Sequence, residues 1–103
     1  MTSTALIPCS RPERLARAMG RHFGHKVRVE QTGAVTRVFL ASGCFELEVG
    51  EGELVVRASG EGPKELADVK RIAESHLARF ARPETIHIGW DVGRAGRVRE
   101  FRA

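Results

Sequence analysis

The sequence predicts a two-layer α+β sandwich, with two helices packed on one face of a mostly antiparallel sheet in the order (β)αββββαβ. Three observations lead there. Two segments, about residues 11–24 and 64–81, carry apolar side chains at helical spacing. Residues 27–58 alternate apolar and polar side chains between glycine-containing turns, as an antiparallel meander does. The strands so predicted have one apolar face, and the two amphipathic helices are the cover available for it.

Residues 4–9 form a short apolar run suited to an edge strand, where Pro8 is tolerated because an edge need not donate every N–H. Ser10-Arg11-Pro12-Glu13 then reads as a helix start, with Ser10 as N-cap, proline in the first turn and Glu13 closing a capping box. Leu15, Met19 and Phe23 give this helix its core stripe, and Arg11, Arg14, Arg17 and Arg21 form an adjoining one. His22 falls between the two stripes. Gly24 is placed to end the helix in the left-handed conformation.

The meander follows, with turns expected at Thr32-Gly33, Ser42-Gly43 and residues 50–53. A two-residue loop at Ser42-Gly43 opposes Arg37 to Glu48 and Val38 to Leu47. The next loop opposes Glu46 to Arg57 and Leu47 to Val56. Both registers put opposite charges on one face and aliphatic residues on the other. The charged face, readable as a solvated face laced with weak ion pairs, also receives Val35, Phe39, Cys44 and Val55, an apolar set among charges that marks a candidate contact with another subunit or a tail.

After Gly60, the second helix is expected over residues 64–81 and ends before Pro83. Leu66, Val69, Ala73, Leu77 and Phe80 form its apolar face, with His76 inside that face. Residues 85–90 are read as a last strand, Ile86, Ile88 and Trp90 inward and His87 outward. Residues 91–103, with Arg94, Arg97, Arg99 and Arg102, are read as a basic, mobile tail to a domain spanning residues 1–90.

The totals narrow the function classes. A chain of 103 residues suits one domain with its own core. The net charge of +4 is spread evenly, with seven basic against five acidic residues in 1–52 and ten against eight in 53–103. A nucleic-acid partner wants a concentrated basic face with aromatic platforms, so this distribution argues against one. Cys9 and Cys44 form no disulfide framework or zinc ribbon and are expected as thiols in the cytoplasm. The first ten residues have neither the basic start of a signal peptide nor the length of a membrane span.

The chemistry concentrates in His22-Phe23-Gly24-His25-Lys26. His22 and His25 have an H-x-x-H spacing, but a zinc site needs three or four ligands, so His76 or Cys44 has to join them. As an alternative, His22 and Lys26 suit a helix C-terminus, whose partial negative charge favours cations, and His76 is a core histidine. A Cys44–histidine nucleophile pair lacks any orienting third group. No phosphate-binding glycine loop is present. The arginine stripe is the strongest anion-binding feature, because only Glu13 stands i−4 from one of its members, Arg17.

Taken together, Arg11-Pro12-Glu13-Arg14, His22-Phe23-Gly24-His25-Lys26-Val27, Ser42-Gly43-Cys44, His76-Leu77-Ala78-Arg79-Phe80-Ala81 and the run ending in Trp90 resemble a bacterial family of small proteins, the domain-of-unknown-function 2218 family, over residues 5–90. The resemblance transfers no catalytic residue and no cofactor. It implies a setting in iron uptake, since some members are fused to siderophore-interacting, flavin-dependent ferric reductases, which makes such a reductase a candidate partner. The expectation is a cytoplasmic accessory or ligand-binding domain using His22, His25 and Lys26 with Cys44 or His76. Two alternatives stand beside it: an interaction module that forms a homodimer through Val35, Phe39 and Val55, and a metal-dependent enzyme.

Overall fold

The computed structural model describes residues 1–90. Its elements are β1 (Thr2–Pro8), α1 (Pro12–Gly24), β2 (Val29–Thr32), β3 (Val35–Leu40), β4 (Gly43–Gly50), β5 (Glu53–Gly60) and α2 (Pro63–Ala81). All neighbouring strands are antiparallel, in the order β1-β5-β4-β3-β2. β1 and β2 are the edges, and Pro8 ends an edge strand as expected.

Both helices lie on one face, α1 across β2, β3 and β4 and α2 across β4 and β5. Period-two alternation sends Ala5, Ile7, Val38, Phe45, Leu47, Leu54, Val56 and Ala58 to that face, where all are fully buried. Leu15, Met19 and Phe23 of α1 and Leu66, Val69, Ala73 and Leu77 of α2 close the core from the other side. The α+β sandwich is therefore the fold predicted from periodicity. Its stability rests on burial along two helical stripes and one sheet face.

Local features differ in four places. The β3–β4 turn is Ala41-Ser42, so Arg37 opposes Glu46 and Val38 opposes Phe45 rather than Glu48 and Leu47. Gly43 is a strand residue: it pairs with Gly60, and a Cβ on it would stand 2.0 Å from the Ser59 carbonyl oxygen. Close approach of β5, not a turn, requires glycine there, and the two-residue slip leaves every side chain on its expected face. The β4–β5 register is as expected, Glu46 against Arg57 and Leu47 against Val56.

At the start of α1, the N-cap is Arg11, with no side-chain cap. Ser10 instead gives its N–H and hydroxyl to the Glu84 carboxylate, at 3.2 and 3.0 Å. At the other end, Gly24 stays helical and His25, at φ −80°, is the C-cap; positive φ occurs among the described residues only at Gly33, Gly43 and Gly52. The backbone N–H groups of Lys26 and Val27 both reach the Phe23 carbonyl, at 2.9 and 2.8 Å, and close the helix without a left-handed residue.

Residues 85–90 form no ladder; Trp90 makes one isolated bridge to Ala5. Ile86, Ile88 and Trp90 still pack on the core while His87 is exposed. The side chain of Trp90 explains the difference: its indole N–H donates to Glu74 and Lys70 lies 5.3 Å from its ring centre, so α2 holds the segment by its side chains. The tail read at residues 91–103 lies outside the described residues.

Candidate functional site

Two constellations occupy the helical layer. The first joins the last turn of α1 to α2. His22 and His76 lie with ring centroids 5.0 Å apart, and Phe23 and Phe80 stand 5.1 and 5.3 Å from His22. Phe23 reaches on to Phe45 at 5.5 Å, so the group is anchored in the sheet's core. Nδ1 of His76 is 2.8 Å from the Ile72 carbonyl oxygen one turn back. A carbonyl only accepts, so Nδ1 carries a proton and donates it there.

His22 differs, because its Nε2 is buried with no hydrogen-bond partner among the described residues. Burial holds its pKa below the ordinary histidine value, and His76, Lys26, Arg79 and His25 lower it further as neighbouring positive charges. His22 thus sits at the helix C-terminus as a neutral imidazole rather than as the cation that position favours. Desolvation outweighs the helix dipole here, since the dipole contributes only ~0.3–1 kcal/mol at exposed ends.

Of the residues singled out in the sequence, His22 and His76 meet. His25 and Lys26 follow α1 as exposed residues. Cys44 lies on the opposite face of the sheet, its sulfur 3.7 Å from the Ser59 hydroxyl. Among the described residues no group of three or more His, Cys, Asp or Glu side chains gathers as a metal site. No described helix is long and apolar enough to cross a membrane.

The second constellation is a cleft of about 570 Å³ between the start of α1 and the end of α2. Arg11, Arg14 and Arg82 contribute its cationic side, and Leu15, Phe80, Ala81 and Pro83 its apolar wall. Arg11, Arg14 and Arg82 are exposed and join no ion pair among the described residues. The carboxylate in the cleft, Glu84, is already engaged by Ser10. The uncapped first turn of α1 adds its partial positive charge to the same place.

Cys9 also borders the cleft, but burial, then Glu84 and Glu53, push its thiol pKa up and keep it protonated. Arg17 faces a separate cleft of about 370 Å³ with Glu13, Gln31 and Thr36, and Arg21 is exposed outside both. Phe80 belongs to both constellations, lining the cleft and stacking near His22. Sequence reasoning found Arg11 and Arg14 but not Arg82 or Glu84; the one signal for them was a charged pair flanking Pro83 directly after α2.

The outer face of the sheet is organised differently. The registers align Arg57, Glu46, Arg37 and Glu30 in one row across four strands. Arg37 Nε is 2.7 Å from Glu46 and its Nη1 3.8 Å from Glu30, while Arg57 reaches Glu46 at 3.5 Å and Glu48 at 2.8 Å. Arg28 pairs with Glu30, and its guanidinium lies 4.7 Å from the Phe39 ring centre.

Fold and site together define a small α+β domain with an open sheet face and a cationic cleft at the junction of its two helices. The chain belongs to the DUF2218 family, described as an uncharacterised protein conserved in bacteria, whose model matches residues 4–91. The fold is similar to the NMR structure of PA4090 from Pseudomonas aeruginosa, with a TM-score of 0.76 and 22% sequence identity over 91% of this chain and 98% of that one. No curated protein matches the chain significantly.

Proposed function

We propose that this chain is an accessory binding domain whose ligand is an organic anion with an apolar or aromatic body, held in the cleft between α1 and α2. One observation carries the reading: Arg11, Arg14 and Arg82 stand without counter-ions among the described residues around a cleft of about 570 Å³ backed by Leu15 and Phe80. A volume in the ~300–1,000 Å³ range of small-molecule sites, an apolar wall and a few convergent charges are what such a ligand requires. Guanidinium groups also bind carboxylate or catecholate oxygens in pairs, which lysine does not match.

Anionic ferric siderophores are the ligand class favoured within this chemistry. The support is the resemblance to a family some of whose members are joined to siderophore-interacting reductases, which also makes such a reductase the proposed partner in the cytoplasm. Phe80 lines the cleft and stands 5.3 Å from His22, so the His22–His76 pair backs its apolar wall, while His25 and Lys26 lie exposed at the opposite end of α1.

The test is a thermal-shift and calorimetric comparison of a tris-catecholate ferric complex, a neutral trihydroxamate ferric complex and an iron-free aromatic carboxylate. The expected result is stabilisation by the anionic ferric complex, approaching ~2.7 kcal/mol at a hundredfold excess over Kd. It is lost in the Arg11→Ala/Arg14→Ala variant and absent with the neutral complex. Equal binding of the iron-free carboxylate keeps the anion site and removes the siderophore assignment. No stabilisation by any of the three overturns the reading.

A further inference from the structure

Among the described residues the helices cover one face of the sheet and leave the other open, and the open face is ordered by charge. Its central row runs Arg57, Glu46, Arg37, Glu30 across β5, β4, β3 and β2, so the signs alternate. On either side lie rows that carry the apolar residues of this face. One runs Leu6, Val55, Glu48, Val35, Thr32, and the other runs Ser59, Cys44, Phe39.

We infer that this open face is the contact surface of a two-fold homodimer whose axis runs parallel to the strands, between β3 and β4. An alternating row of four charges is the complement of its own image under that rotation. Turned over about an axis between Glu46 and Arg37, the row sets Arg57 on the partner's Glu30 and Glu46 on the partner's Arg37. A two-fold axis across the strands instead sets each arginine on itself, so charge selects one axis of the two.

The flanking rows fit the same operation. Phe39 falls on the partner's Cys44, Val55 on the partner's Thr32, and Val35 on the aliphatic stem of the partner's Glu48. Strands of the two sheets then run nearly aligned, as in sandwiches whose sheets cross at about −30°. The row extends ~7 Å from the axis at ~4.8 Å per strand, so that crossing displaces its outer charges by only ~4 Å, within reach of an arginine or a glutamate.

Size predicts a weak contact. About this axis four strands overlap, with β1 projecting beyond the partner's β2; at ~4.8 Å per strand and about seven residues at ~3.3 Å the contact is roughly 19 by 23 Å, below the ~600–800 Å² per partner of a standard interface and suited to weak, concentration-dependent association. Because the carboxylates already accept from arginines of their own sheet, they enter the contact partly neutralised, and the outer lone pairs remain for the partner. The cleft lies on the helical side, so the dimer leaves it open and the two proposals stand or fall separately.

Sedimentation equilibrium of the full chain from 5 to 500 µM decides it. In 50 mM NaCl the mass is expected to rise from 11.4 kDa to twice that value, and 500 mM NaCl should weaken the dimer at least tenfold. Arg37→Glu/Arg57→Glu makes the row uniformly negative and Glu30→Lys/Glu46→Lys makes it uniformly positive. Each is expected to be monomeric alone, and an equimolar mixture to form a 1:1 heterodimer. If a uniform row unfolds the chain, Phe39→Ser decides instead, with melting checked by circular dichroism: a folded monomer supports the inference and an unchanged dimer overturns it. A monomer at 500 µM in low salt, or a mixture of the folded charge variants that does not associate, overturns it too.

Discussion

His22→Leu should make the protein more stable, and the gain should grow as the pH falls. The imidazole occupies the last turn of α1 between His76, Phe23 and Phe80, with Nε2 buried and unpartnered. A buried polar atom left without a hydrogen bond costs ~1–3 kcal/mol. Leucine fills a similar space with no polar atom and has a slightly better helix propensity. Against this stands the edge-on contact with Phe23, at 5.1 Å and 90°, worth ~0.5–1.5 kcal/mol. The net is a gain of about 1 kcal/mol at pH 8, or roughly 5 °C in Tm for a chain of this length.

The pH dependence follows from the lowered pKa of His22, caused first by burial and then by His76, Lys26, Arg79 and His25. Above the ordinary value of 6.5, folded and unfolded chains are both neutral at this position and nothing is lost. As pH falls through 6.5 the unfolded chain takes up a proton that the folded chain resists. Stability therefore declines until the folded pKa is passed, then levels off. His22→Leu removes this loss. Urea unfolding at pH 8, 7, 6 and 5, followed by circular dichroism, should show the gap between variant and wild type widening toward pH 5 with m unchanged. A variant less stable at pH 8, or a gap that does not widen, refutes the placement of an unpaired imidazole there.

Three further substitutions test the fold. Gly43→Ala puts a Cβ 2.0 Å from the Ser59 carbonyl oxygen at φ +153° and should cost more than about 2 kcal/mol in urea unfolding. Gly24→Ala, in helical backbone with nothing within 4 Å of the new Cβ, should instead stabilise by ~0.5–1 kcal/mol; a loss would mean that Gly24 does need the left-handed conformation. Phe45→Ala empties the centre of the core, where Phe45 is fully buried between Val38 and Ala58 on the neighbouring strands, and should cost ~3–5 kcal/mol in the same assay.

The fold was legible because burial is written in period. Leu15, Met19 and Phe23, and Leu66, Val69, Ala73 and Leu77, point to the core for the same reason they recur in sequence. The alternation of Phe45 and Leu47 with Glu46 and Glu48 likewise fixes the faces of β4. Register was less legible, because a slip of two residues preserves every face and changes only partners. Gly43 invites that slip: its glycine answers to the Ser59 carbonyl sixteen residues away, and a close approach between strands has the same composition signal as a turn. Ser10 misleads in the same way. Its spacing to Glu13 suggests a capping box, while its partner is Glu84, 74 residues on.

The site was legible only where a residue's face decides its company. Alternation places Cys44 with Phe39 on the open face, and the helices lie on the other, so parity separates Cys44 from His22 before any coordinate does. The meeting of His22 with His76 depends on how α1 sits beside α2, which no local pattern encodes. The arginines make the same point about charge. Arg37 and Arg57 sit in a sheet whose register delivers a carboxylate to each. Arg11, Arg14 and Arg82 come from two helix ends, where the sequence spacing delivers none and the single tertiary carboxylate, Glu84, is held by Ser10. Positive charge is therefore left over at the cleft and neutralised on the sheet. That contrast is what assigns the proposed anion to the helical side of the molecule and the proposed self-complementary contact to the open side.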